Sequence, residues 1–401
     1  MAGAPALPST GATAESESAM PAAAGSGGGE SVRIHLFART DVGQVREHNE
    51  DNFLVADLTK RSRGLLEANR ATAIGHQGAI FAVCDGMGGA AAGEIASQLA
   101  VDIIYERLVD GLGDRPVKRD DLARRLVRAV EAAGLRIFHE AKADRSRRGM
   151  GTTVTAAALV DEILFFAQVG DSRGYILRGD TLVQLTRDQS LVNQLIEAGQ
   201  LTEEEAETFE HNNIILQALG TSDTVQVDLT FAEVRKGDIL LLCSDGLSGM
   251  VRFEDIREVL RSGMEPLDIC KSLTERANAA GGHDNITVII VQFDGPNLKE
   301  RDADGEPLKY RKYVLADEQA EEKTATMQAV VHPGGSPAAA TEVAARMASN
   351  PPQQWAERPG GDHDYDRVDI PGTHVPIWMV IGIVAGVIVL LAGTAFLLLR
   401  P

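Results

Sequence analysis

Apolar residues in this chain fall into short unbroken runs and into longer stripes spaced every three or four positions. The runs at 79–84, 153–160, 163–169, 174–178, 238–243 and 286–293 are rich in β-branched or aromatic residues, which predicts strands. Residues 93–108 and 121–143 carry the stripes, which predicts two helices. Two shorter helices are expected at 191–198 and 202–208, the second opened by a capping box from Thr202 to Glu205. Several strands follow one another without a helix between them. That order predicts an α+β fold with antiparallel sheets rather than a doubly wound parallel one. There is no internal repeat.

The patterned sequence runs from about Val32 to Phe293. Residues 1–31 are mostly Ala, Gly, Ser, Pro and Glu, with no basic start and no apolar stretch, so they read as a disordered arm rather than a signal peptide. The folded domain is therefore expected over 32–295. Residues 296–374 hold fourteen acids and nine bases and few large apolar residues, as in an acidic flexible linker. Within it, Tyr310, Tyr313, Val314 and Leu315 mark a short piece able to pack.

Residues 377–399 are 23 in a row without a charge. As a helix they span about 34 Å, against a hydrocarbon core of roughly 30 Å. With Trp378 at the upstream edge, a transmembrane helix is expected over 375–399. The upstream bases Arg358 and Arg367 favour a cytoplasmic domain at the cell membrane. Gly382 and Gly386 read as ordinary glycines of a membrane helix rather than a dimer face.

Composition narrows the function. Thirty-nine Lys and Arg against 58 Asp and Glu leave a net charge of −19, which disfavours nucleic acid as a partner. An apolar share of 44% rules out full disorder. Cys84, Cys243 and Cys270 are far apart and form no Cys-x-x-Cys, which excludes a zinc–cysteine site and a disulfide scaffold. Cys84 and Cys243 sit in apolar strands and read as small hydrophobes.

Three of the apolar strands carry a carboxylate at one end. Residues 79–84 lead into Asp85-Gly86, residues 239–243 lead into Ser244-Asp245-Gly246, and Asp284-Asn285 opens the strand at 286. Any one Asp-Gly alone reads as turn chemistry. Three carboxylates gathered at one sheet edge would repel, and a hard divalent cation would remove that cost. Oxygen donors select Mg²⁺, Mn²⁺ or Ca²⁺ over zinc. Upstream, Asp51 is a further candidate for the same ions. Arg46 offers a planar fork of donors to phosphate oxygens, or else a surface ion pair with Glu47 or Glu50.

In order, the chain carries Arg46 with Asn49-Glu50-Asp51, Asp85-Gly86-Met87-Gly88-Gly89, Gly151-Thr152-Thr153 and Gly170-Asp171-Ser172-Arg173. Ser244-Asp245-Gly246-Leu247-Ser248 and Gly281-Gly282-His283-Asp284-Asn285 follow. This series resembles the metal-dependent protein phosphatase family (PPM, type 2C), over about residues 36–294. The layout with a terminal anchor is similar to bacterial phosphatases that oppose Ser/Thr kinases. The resemblance implies an αββα sandwich of two antiparallel sheets flanked by helices. It implies hydrolysis of phosphoserine and phosphothreonine on proteins by water activated between two Mn²⁺ or Mg²⁺ ions. Asp85 would bridge the ions, the Gly86 carbonyl would bind one, and Asp245 and Asp284 would hold the second. Asp51 would act on the metal waters, and Arg46 would grip the phosphate. Residues 188–215 match the family's variable flap, and Asp171 would orient its own turn.

The sequence departs from the family pattern in three places. Many members have His after the Asp-Gly-x-Gly-Gly run, proposed as a general acid; here Ala90 stands there. Asp188-Gln189 replaces Asp-His at the flap entrance. The Asp that usually supports a third ion has its nearest counterpart in Asp144, at longer spacing and beside Arg145, Arg147 and Arg148, so a third ion is not assigned. His48 and His283 read as surface residues. Ala90 also leaves an alternative, a catalytically weak pseudophosphatase that binds phosphoproteins at the membrane. A phosphatase acting on a sigma-factor antagonist, or a tethered scaffold, are further rivals. Retention of Asp85, Asp245 and Asp284 favours the enzyme over the pseudophosphatase and the scaffold. The absence of a sensor domain argues against the sigma-factor relay.

Overall fold

In chain order the strands are β1 (Arg33–Asp41), β2 (Asn52–Asp57), β3 (Ser62–Arg63), β4 (Thr72–Ala73), β5 (Ala79–Cys84), β6 (Gly86–Met87) and β7 (Gly151–Thr152). There follow β8 (Val154–Val160), β9 (Ile163–Val169), β10 (Arg173–Arg178), β11 (Thr181–Gln184), β12 (Asp228–Glu233), β13 (Ile239–Cys243) and β14 (Ile286–Asp294). The helices are α1 (Ala92–Val109), α2 (Arg119–Ala143), α3 (Leu191–Glu197), α4 (Glu203–Ala206), α5 (Asp245–Ser248), α6 (Phe253–Arg261) and α7 (Pro266–Ala279). The computed structural model describes residues 32–64, 71–88, 92–206, 209, 213–301 and 307–315.

One antiparallel sheet has the order β11-β10-β13-β14-β1-β4, and the other β12-β9-β8-β5-β2-β3. Strands β5, β8, β9 and β13 are buried along both faces because each face meets a different layer. Along β5, Ala79, Phe81 and Val83 point between the sheets, while Ile80, Ala82 and Cys84 face α1 and α2. Along β13, Leu240 and Leu242 point between the sheets, while Leu241 and Cys243 face α6 and α7. The result is helix, sheet, sheet, helix. With period 2, a slip of one residue would exchange the two faces of every strand, so the packing fixes the register. A fully buried Leu or Phe contributes about 2 kcal/mol.

The expected strands and the two long helices are present, with ends shifted by one or two residues. The capping box at α4 forms: Glu205 Oε2 accepts from the Thr202 amide at 2.9 Å, and the Glu205 amide donates to Thr202 Oγ1 at 3.2 Å. β1 to β4, β6, β7, β11, β12 and α5 to α7 are additional to the expected elements. The expected membrane span, the N-terminal arm, residue Ala90 and most of the linker lie outside the described residues. Among the described residues no helix is long and apolar enough to cross a membrane.

The piece within 299–315 does pack. Tyr313 stacks edge-on against Phe165 and Phe231, with ring centroids 4.9 and 5.6 Å apart. Its hydroxyl donates to Asp120 Oδ1 at 3.2 Å, and Tyr310 donates to Asp228 Oδ2 at 2.8 Å. The segment thus covers the outer edge of β12. Tyr313→Ala is expected to cost about 2 kcal/mol in urea unfolding. An unchanged midpoint would mean that the segment contributes nothing to stability.

Candidate metal centre

Antiparallel pairing brings strand ends together that are far apart in sequence. β2 pairs with β5 so that Asn52 faces Cys84, which sets Asp51 beside Asp85. β13 pairs with β14 so that Cys243 faces Val288, which sets Asp245 near Asp284. The two pairs belong to opposite sheets, and their ends meet at one edge of the sandwich. Asp51 joins them: its Oδ2 accepts from Ser244 Oγ at 2.8 Å and from Thr287 Oγ1 at 2.7 Å, across the gap between the sheets.

Close backbone approach explains two glycines. A Cβ on Gly86 would collide with the carbonyl oxygens of Gly93 and Glu50. A Cβ on Gly246 would collide with the Asn285 carbonyl, where α5 begins against β14. Thr152 Oγ1 donates to the Asp85 carbonyl at 2.8 Å, and the Asp85 amide donates to Thr153 Oγ1 at 3.1 Å. The Gly-Thr-Thr run therefore fixes the backbone that presents Asp85.

The electrostatics are unfavourable for bare carboxylates. Desolvation, and then the charges of Asp51 and Asp245, push Asp85 well above the usual carboxylate range. Desolvation raises Asp51 to about 7, against the bonds from Thr287 and Ser244 that favour its charge. Asp245 is raised too, by desolvation and then by Asp284. Asp171 is raised to about 7 by desolvation and by Asp245. Asp51 Oδ1, Asp171 Oδ1 and Asp245 Oδ1 are buried without a hydrogen-bond partner. Among the described residues no group of three or more His, Cys, Asp or Glu closes on a single point. The donors are nonetheless all oxygen, crowded and short of positive charge, which fits hard divalent cations.

Arg46 does not pair with Glu47 or Glu50. Its Nη2 donates to Asp284 Oδ2 at 2.7 Å, at an exposed rim where the Arg46 side chain is 52% accessible. Asp144 lies apart, capping a turn through Ser146. Asp188 forms a two-pronged pair with Arg173 at 2.8 and 2.7 Å. Gln189 accepts from the Gly170 amide at 3.0 Å, so the flap's entrance is latched to the Gly170–Arg173 turn. His48 and His283 are exposed. Cys84 and Cys243 are fully buried, and desolvation raises both thiols, Cys243 to about 12, so neither is a reactive thiolate.

Sequence reasoning gave no role to Asn285, Ser244 or Thr287. Asn285 is 4% exposed and accepts from the Glu50 amide at 2.8 Å. Its Nδ2 donates to the carbonyls of Val42 and His48, both at 2.9 Å. One side chain thus pins the loop that carries Arg46 and Asp51. The available signal was a polar residue placed directly before a strand that is mostly apolar.

Comparison with known proteins agrees with this arrangement. The profile of the family described as protein phosphatase 2C matches residues 65–279. A serine/threonine phosphatase, stp, of Listeria monocytogenes is 35% identical over 270 residues, covering 67% of this chain and all of the relative. Protein phosphatase PhpP of Streptococcus pneumoniae is 39% identical over 271 residues, covering 68% of this chain and all of PhpP. The solved structure of the Mycobacterium tuberculosis serine/threonine phosphatase PstP is 35% identical, with a TM-score of 0.55, over 66% of this chain and all of that one. A further structure holds the PstP catalytic domain with two manganese ions, at a TM-score of 0.54 and 35% identity. These likenesses favour an enzyme over a phosphoprotein-binding pseudophosphatase, and the chain belongs to the protein phosphatase 2C family of metal-dependent protein serine/threonine phosphatases.

Proposed function

We propose that the edge formed by Asp51, Asp85, Asp245 and Asp284 is the phosphatase centre and holds two Mn²⁺ or Mg²⁺ ions. The observation that carries this reading is the set of buried carboxylate oxygens with no partner, on Asp51 and Asp245 above all. Asp85 and the Gly86 carbonyl, with Asp245 and Asp284, are the ligands. Bound ions would supply positive charge against the phosphate and lower the pKa of a water for attack on phosphorus. Arg46, steadied by Asp284, offers its remaining donors to phosphate oxygens. Asp51, held by Ser244 and Thr287, keeps its free Oδ1 available to accept a proton or orient water.

The phosphatase acts against a Ser/Thr kinase, and the segment 375–399 tethers it to the cell membrane with the catalytic domain in the cytoplasm. The 23 uncharged residues from 377 support the tether. The phosphatase activities named for the bacterial relatives support the opposition to a kinase.

Phosphate release from a phosphothreonine peptide by the full chain should require Mn²⁺ and stop with EDTA. Asp245→Asn should lower it by roughly 10²–10³-fold, and turnover near the parent rate would refute the assignment. Arg46→Ala should raise KM about tenfold with a smaller change in kcat. An unchanged KM would reduce Arg46 to a surface partner of Asp284.

Cation binding should also appear in stability. Asp51 and Asp171 are raised from 3.8 to about 7, so without cations the folded chain binds protons that the unfolded chain has lost. Stability is then greatest below pH 4 on this account and falls as pH rises through 4 to 7. Mn²⁺ relieves the repulsion where the carboxylates are charged. Its increment in Tm should therefore be larger at pH 7.5, about 5 °C, than at pH 5. Equal increments at both values would contradict the charge argument.

A further inference from the structure

At the end of α1 away from the carboxylates, the chain builds a groove of opposite charge. α1 has 18 residues and is about 27 Å long, so its last turn lies about 22 Å from its first. A groove of about 790 Å³ is walled by that last turn, the 110–118 connection and one face of α2. Arg107, Arg115, Lys118, Arg124, Arg125 and Arg128 line it, against two carboxylates, Asp110 and Asp121. Arg124 is held by Asp120 at 2.8 Å, and Arg125 donates to the Asp110 carbonyl at 2.8 Å. Arg107, Arg115, Lys118 and Arg128 are exposed. In a chain of net charge −19, such a concentration of cations draws an acidic occupant.

The chain itself brings one to this place. Tyr313 donates through its hydroxyl to Asp120, which also accepts from Arg124, so this side chain touches the first turn of α2 two residues before the described segment ends at Leu315. The next seven residues are Ala316-Asp317-Glu318-Gln319-Ala320-Glu321-Glu322, with four acids and no base. Extended, seven residues reach about 23 Å, whereas Asp120 to Arg128 along the helix is about 12 Å. Length, starting point and charge all match.

We propose that residues 316–322 dock in the Arg107–Arg128 groove of their own chain. The linker then leaves the domain from a fixed place, and the carboxylate edge stays clear of it. Each exposed ion pair is weak, so the contact is a salt-sensitive network rather than a rigid strap.

Lys118 is the one lysine lining the groove, which allows a direct test. A water-soluble carbodiimide, which joins a carboxylate to an amine with no spacer, is applied to the full chain. The expected product links Lys118 to Asp317, Glu318, Glu321 or Glu322, identified by peptide mass spectrometry. Its yield should fall about fivefold in 1 M NaCl and in Arg115→Glu/Arg128→Glu, with phosphate release unchanged as proof of folding. Mixed isotope-labelled and unlabelled chains should give links within one chain. A yield at background in the parent protein, or one indifferent to both salt and the charge reversal, would overturn the proposal. Links only between labelled and unlabelled chains would overturn it in favour of a second copy as the occupant.

Discussion

Carboxylates held close together and out of water repel one another, and one edge of this sandwich is organised around that repulsion. Ser244 and Thr287 hold Asp51 in place across the gap between the sheets, and Asn285 ties down the loop behind it. None of these groups removes the excess negative charge. They fix the positions of the oxygens, so that a cation finds them already arranged. The sandwich makes this possible because strands such as β5 and β13 are buried on both faces and cannot slide without exposing a core layer.

Charge is distributed unevenly along α1. Its first residues pack against the backbone of Gly86 and Glu50, beside the acidic edge, and its last turn opens on a cluster of cations. An overall count of −19 hides this polarity. The net charge speaks against nucleic acid, while the local fields decide where cations and acidic chain segments settle.

Much of the fold was legible because six strands are continuous apolar runs, and the three principal carboxylates stand directly at strand ends. β1 escaped notice because His35 and Arg39 interrupt its apolar residues, as befits a strand whose residues are only alternately buried. β12 is short and bounded by Asp228 and Glu233. Within the site, Arg46 and Asp284 are 238 positions apart, so only the β1–β14 and β13–β14 pairings make them neighbours. Ser244 and Thr287 are small polar residues of a kind found in any turn, and their roles emerge only from the register. Asp144 accepts from Ser146 in a surface turn.

The pairing of β1 with β14 has a consequence for biosynthesis. β14 lies between β13 and β1 and also supplies Asn285 to the loop near the amino end of the domain. A chain emerging from the ribosome has β1 long before β14, its full-length partner, exists. The nascent protein can bury the α1–α2 layer early, but Asp51, Asp85, Asp245 and Asp284 meet only when nearly the whole domain has been made. Translation thus delays the assembly of this edge, and a truncated product ending before β14 would reach the cell with its carboxylates still apart.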